Sequence, residues 1–273
     1  MCIGSLTAYA VFKVRTGFHP VYGFSNVPPM DTLVNPERIV RRVNNALLEP
    51  LFVGFAGAVV VAIVARRLRM LTTEGAIAAA IIGTIVYGFG GWSMTGLLLL
   101  FFVSSSLLTQ LQAPRKVHPE HPQGRLAGQV LANGAVAAAI AVWHSFNPSS
   151  IALSAFAGSI AASTADTWAT EIGILSSVRP RLIITWKQVP TGSSGAVTLL
   201  GTIGGIVGAI VISLAASYWM GTSLVGILAA GIVAMIVDSL LGATIEGRVQ
   251  FMDNNGVNFA ATIVGAVLSI LLG

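Results

Sequence analysis

Apolar stretches of membrane-spanning length dominate this chain and leave little room for anything else. A helix needs about 20 apolar residues to cross the hydrocarbon core of a bilayer. Eight such stretches can be read, at about 46–65, 73–90, 92–111, 127–145, 149–173, 194–219, 223–245 and 256–272. Between them only 9% of the 273 residues are charged, against about 25% in a soluble domain. That is too little charge to clothe a water-soluble globule. A soluble enzyme, a disordered chain, a coiled coil and a nucleic-acid domain are therefore excluded. The formal net charge of +5 is read against the membrane first, not against nucleic acid. The single cysteine, Cys2, excludes a disulfide scaffold and a cysteine-based zinc site. Thirty glycines suit closely packed membrane helices.

The expected fold is all-α, a polytopic membrane bundle of about eight (seven to eight) transmembrane helices with Gly-rich packing. One transmembrane domain covers 46–273, and residues 1–45 form an N-terminal extension, interfacial or extramembrane. The stretch at 149–173 turns polar at its C-terminal end, so its helix is expected to break or leave the lipid near Asp166.

Basic residues set the orientation. Arg66, Arg67 and Arg69 follow the first stretch, Arg115, Lys116 and Arg125 the third, Arg179, Arg181 and Lys187 the fifth, and Arg248 the seventh. The other loops and the C-terminus carry no Lys or Arg. Lys and Arg stay on the cytoplasmic side, which puts these four loops in the cytoplasm and the C-terminus outside. Residues 1–45 conflict with this, because Lys13, Arg15, Arg38, Arg41 and Arg42 would then lie outside.

Half of the ten carboxylates fall in two patches at the cytoplasmic ends of stretches. Intramembrane carboxylates are costly and usually face an interior cavity. In the first patch Asp166 and Thr170 are one helical turn apart, as are Thr167 and Glu171. These are two oxygen-rich stripes of the kind hard cations take. Trp168 reads as an interfacial anchor. In the second patch Asp238 and Glu246 share a helix face if the helix stays regular, with Arg248 just beyond. Asp253 to Asn258 reads as a turn into the last helix, where Asn255 and Asn258 either cap that helix or contact a polar ligand.

The loop between the patches carries Lys187 and then Thr191-Gly192-Ser193-Ser194-Gly195, ending at the start of the sixth stretch. A helix N-terminus with free N–H groups is a ready anion site, though the spacing is not that of a Walker A motif. Gln129 and Asn133 lie on one face of the fourth stretch, as interhelical glue or as a substrate-facing pair. His118 and His121 sit in a Pro-rich loop and make a poor metal site. Every motif projects to one membrane face. Acidic metal ligands, phosphate grips and an apolar bundle together suit phosphoryl transfer to a lipid.

The ordered set Ala165-Asp-Thr-Trp-Ala-Thr-Glu171, Pro180-Arg-Leu-Ile, Val189-Pro-Thr-Gly-Ser-Ser-Gly195, Asp238-Ser-Leu-Leu-Gly-Ala-Thr244 and Val257-Asn258-Phe259 resembles a known integral-membrane family. That family includes chloroplast phytyl-phosphate kinase and eukaryotic transmembrane protein 19. Arg125 to Gly134 looks like its fourth-span segment, and the resemblance covers about 46–273. The loop departs from the family's Pro-Pro-Gly pattern, with Thr191 in place of the second proline.

The resemblance implies a prenyl-phosphate kinase that uses CTP or ATP as phosphoryl donor. Asp166, Glu171 and Asp238 would hold Mg²⁺, with Lys187 also in the catalytic set. Arg125, Lys187 and the Thr191–Gly195 backbone would grip phosphates, and Gln129 and Asn133 would lie near the lipid head group. Thr167, Thr170, Glu246, Arg248, Asn255 and Asn258 complete the expected substrate-binding set. The expected partners are an isoprenoid phosphate, a nucleotide and the membrane, with no nucleic acid, and homo-oligomers are allowed. The expected location is a prokaryotic cytoplasmic membrane with the site facing the cytoplasm. The alternatives are a transporter or flippase for an anionic or lipid-linked solute, and a CTP-dependent lipid-phosphate nucleotidyltransferase.

Overall fold

The structure, a computed structural model, describes residues 36–112 and 124–273. The expected extension up to residue 35, and the loop with Arg115, Lys116, His118 and His121, lie outside the described residues. The described elements are α1 (Pro36–Arg67), α2 (Thr73–Gln112), α3 (Ala127–Phe146), α4 (Ser150–Gly173), β1 (Arg181–Leu182), β2 (Ala196–Val197), α5 (Leu199–Met220), α6 (Leu224–Thr244) and α7 (Asn254–Leu272). The chain is a helical integral membrane bundle, and among the described residues six helices are long and apolar enough to cross a membrane.

Helix α2 contains two of the expected spans. It is 40 residues long, about 60 Å if straight, which is twice the hydrocarbon thickness. It does not run straight. Gly91 interrupts it with φ 69° and ψ −162°, a region essentially reserved for glycine. Both ends of α2 meet the end of α1. The Arg66 Nε donates to Thr73 Oγ1 (3.2 Å), and the Gln110 side chain donates to the Leu68 carbonyl. The halves 73–90 and 92–112 are thus an antiparallel hairpin with Gly91 at its tip. Across the tip the rings of Tyr87 and Trp92 meet edge to face at 5.1 Å. The stretches read as spans two and three are therefore separate segments, and the seven described helices give eight membrane-length segments.

Helix α4 is the centre of the bundle. It packs against α2, α3, α5, α6 and α7, and from residue 152 to 165 every residue except Leu153 is buried. It is also the one helix from α1 to α7 outside the six apolar enough to span unaided. Its polarity is possible because protein, not lipid, surrounds it. Its hydroxyls bond to backbone carbonyls: Thr164 to Ile160 (2.8 Å) and Ser163 to Asn133 of α3 (3.1 Å). The Ser269 hydroxyl on α7 donates to the Ser154 carbonyl at 2.8 Å. Small residues permit this density. A Cβ added to Gly158 would lie 2.3 Å from the Gly265 carbonyl oxygen of α7, so nothing larger than glycine fits that crossing.

One expectation changes. Helix α4 continues unbroken past Asp166 to Gly173, because the surrounding helices shelter its polar end. Helix α1 starts at Pro36, and its membrane-length apolar part, Leu48–Arg67, matches the first expected stretch. The Trp168 ring packs against Gly208 of α5, where an added Cβ would be 3.1 Å from Trp168 Cγ.

Candidate active site

Loops at one end of the bundle gather the polar motifs. The 174–198 loop folds on a two-residue antiparallel pair, with Arg181 opposite Val197 and Leu182 opposite Ala196. The turn 183–186 closes with Trp186 N–H donating to the Leu182 carbonyl (2.8 Å). The Arg181 Nη1 donates to the Trp186 carbonyl (2.8 Å), and Lys187 is exposed.

The glycine–serine stretch is not a helix N-terminus. Helix α5 begins at Leu199 and is capped by the Thr198 hydroxyl, which accepts from Gly201 N–H (3.0 Å). Thr191 to Gly195 is a turn before β2, held by Ser193 donating to the Pro190 carbonyl (2.8 Å). Gly192 and Gly195 take φ 89° and 70°. Thr191, Gly192 and Ser194 are exposed. Any anion grip here comes from turn N–H groups and hydroxyls, without a helix dipole. The sequence missed this because the apolar run from Ala196 reads as helix, whereas its first residues pair with Arg181 and Leu182.

The two acidic patches meet, but not as one set. The Asp166 and Asp238 carboxyls face each other across the α4–α6 contact within hydrogen-bonding reach, and Glu246 acts electrostatically on both. Asp238 Oδ2 is buried and receives no hydrogen bond from any described group. Two carboxylates this close require a shared proton or a cation. The turn lies beside them: a Cβ on Gly242, one turn beyond Asp238, would be 2.9 Å from Gly195 N and 3.2 Å from Glu246 Oε2.

Glu171 lies elsewhere on α4. Five residues after Asp166, it is rotated about 140° around the helix. It is buried, and its Oε1 accepts from the Thr109 hydroxyl of α2 at 2.9 Å. The Arg125 Nη2 donates to the same hydroxyl at 3.5 Å. The Arg125 guanidinium stands 5.7 Å from the centre of the Phe101 ring. Burial pushes its pKa below the ordinary range, and the Glu171 charge opposes that. The trio Asp166, Glu171 and Asp238 is thus divided between two subsites. Among the described residues no three His, Cys, Asp or Glu side chains form a metal-ligating group.

The remaining candidates have mixed placements. Gln129 Oε1 accepts from Leu126 N–H (3.1 Å), and Asn133 Nδ2 donates to the Gln129 carbonyl (2.9 Å). Gln129 satisfies the start of α3 and Asn133 bonds back onto its own helix, both lying part-buried. Asn255 sits against Gly128, where a Cβ would be 2.9 Å from its Nδ2. Neither Asn255 nor Asn258 caps α7; Asp253 does, accepting from Gly256 N–H (2.9 Å). The carboxylate outcompetes the later amides because it sits one residue before the helix. Arg248 Nη1 donates to the Thr244 carbonyl (3.1 Å), which closes the end of α6. Thr170 is exposed and Thr167 half-buried. Thr109 was missed, since a threonine near a span end carries no sequence signal until Arg125 and Glu171 are seen to share it.

The integral membrane protein family DUF92 matches residues 56–266, which contain every site residue above. The chain belongs to this family. An uncharacterized membrane protein of Methanocaldococcus jannaschii is 36% identical, over 81% of this chain and 94% of its own length. Protein PGR of Arabidopsis thaliana is 29% identical over 74% of this chain and 88% of its own. Protein VTE6, chloroplastic, of the same plant is 25% identical over 74% and 65%. No solved structure matches the chain.

Proposed function

We propose that this DUF92 protein is a membrane-embedded prenyl-phosphate kinase, working at the cytoplasmic face of a prokaryotic membrane. The observation that carries this reading is the Asp166–Asp238 pair, facing each other beside the Gly195 turn. Mg²⁺ is usually held by one or two carboxylates together with substrate phosphates and water. A facing pair with a donor-free buried oxygen suits that role. The likeness of Ala165–Glu171 and Asp238–Thr244 to phytyl-phosphate kinase supports the same assignment.

Mg²⁺ bound there would offset charge on the donor nucleotide's phosphates, with CTP or ATP as donor. The chain's own groups position the reactants. The exposed Thr191, Gly192 and Ser194, with Lys187, grip the nucleotide. Arg125 holds the acceptor's phosphate. An oxygen of that monophosphate forms the new bond to the γ-phosphorus, and the bond to the departing nucleoside diphosphate breaks with its electrons. The acceptor is a phosphate monoester with a second pKa near about 6, largely dianionic at neutral pH, so no strong general base is needed.

The lipid tail has a matching place. Helices α3 and α7 both start at the polar end, with Asn255 beside Gly128. A turn or two deeper, Ala135, Val136, Ala139, Ile140, Trp143 and Phe259 line an apolar groove of about 500 Å³. Gln129, Asn133, Val136, Ile140 and Trp143 form one stripe of α3, polar at the head and apolar beyond. An amphiphile matches that order.

The test is direct. Purified protein is incubated with Mg²⁺, CTP or ATP, and farnesyl, geranylgeranyl or phytyl monophosphate, and mass spectrometry looks for the diphosphate. Its formation, and its loss in Asp166→Asn, is the expected result. Release of pyrophosphate would indicate nucleotidyl transfer instead. No product from folded protein, together with nucleotide-independent flux in liposomes, would replace the kinase with a transporter.

A further inference from the structure

The surroundings of Arg125 assign a role to two residues on other helices. Arg125 is fixed before its side chain is considered. Its N–H donates to the Met70 carbonyl (3.0 Å), and its own carbonyl accepts from Thr72 N–H (3.1 Å). Thr72 Oγ1 adds a longer contact to that carbonyl (3.3 Å). Gly75 leaves room for this, since a Cβ there would lie 2.2 Å from the Arg125 oxygen. The side chain then has an aromatic face at 5.7 Å on Phe101 and the Thr109 hydroxyl at its tip.

A threonine hydroxyl has one proton and two lone pairs. Thr109 donates that proton towards Glu171 Oε1 at 2.9 Å, with the Ser105 carbonyl also at 2.9 Å. Its lone pair receives Arg125 Nη2. The hydroxyl therefore joins an anion to a cation with a fixed polarity, and charge at each end strengthens such a link. One of the five guanidinium N–H groups is used on Thr109, and the planar fork suits a phosphate.

We infer that Glu171, acting through Thr109, orients Arg125 as the anchor for the acceptor's phosphate monoester. Glu171 and Thr109 are positioning residues, and neither ligates the cation at Asp166 and Asp238. This rests on the phosphoryl-transfer reading above and extends it by naming the acceptor subsite and its support. The division of α4 carries it: Asp166 turns to α6, and Glu171 turns to α2 and Arg125.

The experiment measures equilibrium binding of farnesyl monophosphate to the full chain in detergent, without nucleotide or metal. It compares the natural protein with Thr109→Val, Thr109→Ser, Glu171→Gln and Arg125→Lys. Steady-state KM, kcat and the Mg²⁺ concentration for half-maximal rate are measured in parallel. Loss of a charge-assisted hydrogen bond predicts affinity lower by about ten- to a hundredfold in Thr109→Val and Glu171→Gln. The acceptor KM should rise in step with Mg²⁺ dependence unchanged, and Thr109→Ser should restore binding. Arg125→Lys, which keeps the charge but not the fork, should bind as weakly as Thr109→Val.

Binding by the natural protein that Thr109→Val leaves untouched overturns the inference alone. So does a Glu171→Gln variant that needs more Mg²⁺ while binding the acceptor normally. Failure of the natural protein to bind farnesyl monophosphate, or geranylgeranyl or phytyl monophosphate in its place, removes the kinase reading and this inference with it. If Thr109→Val does not fold, Thr109→Ser and Arg125→Lys still decide: equal, natural affinity in both overturns the inference.

Discussion

Gly195 lies directly against Ala243 at the end of α6: with φ 70°, a Cβ on it would stand 2.5 Å from both the Ala243 nitrogen and its Cβ. This contact fixes the glycine–serine turn to the helix that carries Asp238. Gly195→Ala must therefore displace the turn or the helix end. The expected cost is about 1–3 kcal/mol, read as a lower thermal midpoint in detergent. Activity should fall by more than the stability loss explains. A variant with natural activity and midpoint would show that the turn is not held this way.

The facing carboxylates predict a metal effect that needs no turnover. A cation binding only the folded protein raises its thermal midpoint, and here it would also relieve the repulsion between Asp166 and Asp238. Mg²⁺ should raise the midpoint of the natural protein but not of Asp166→Asn or Asp238→Asn. Without Mg²⁺ each variant should be at least as stable as the natural protein, because one charge of the pair is gone. An equal rise in all three proteins would place Mg²⁺ elsewhere.

The same variants make a kinetic prediction. Either Asp→Asn change should lower phosphoryl transfer by about 10²–10³-fold. The double variant should be little worse than the poorer single one, since groups acting as a unit are not additive. Initial rates of diphosphate formation decide this, and additive losses would separate the two residues' roles.

Much of this was legible in the sequence, for a simple reason. Membrane length and charge asymmetry are one-dimensional signals, so the breaks at 66–72 and 147–149 could be read directly. Even the crossing change at Gly91 appeared as a gap between apolar stretches. The grouping of polar residues was less legible. Asp166 and Glu171 are neighbours in sequence and were read together, yet five residues of helix turn them towards different partners. Thr109 was silent because its role depends on two residues 16 and 62 positions away. The start of α5 was misplaced because Ala196 and Val197 are as apolar as helix residues, and only their pairing with Arg181 and Leu182 makes them strand.

The hairpin tip offers a test of the fold alone. Gly91 has φ 69° and ψ −162°, and a side chain there costs about 1–3 kcal/mol. Gly91→Ala should lower the thermal midpoint, while the same change at Gly57, where an added Cβ meets nothing within 4 Å, should leave it within a degree or two. Equal effects at both positions would argue against a turn at 91.

The groove predicts a change in specificity. Trp143 lies at the far end of the apolar stripe on α3, one turn before the helix ends at Phe146. Trp143→Ala should favour longer prenyl chains, raising the ratio of kcat/KM for geranylgeranyl over farnesyl monophosphate by about tenfold. An unchanged ratio would put the tail elsewhere.

The central position of α4 also bears on how the protein is made. The chain leaves the ribosome N-terminus first, so α4 emerges before α5, α6 and α7, three of the five helices that cover it. A segment ending in Asp166 and Glu171 enters lipid poorly on its own. Its polar end gains full cover only when α5, α6 and α7 have joined it, so the shelter of Asp166 and Glu171 is a joint property of the C-terminal half of the bundle.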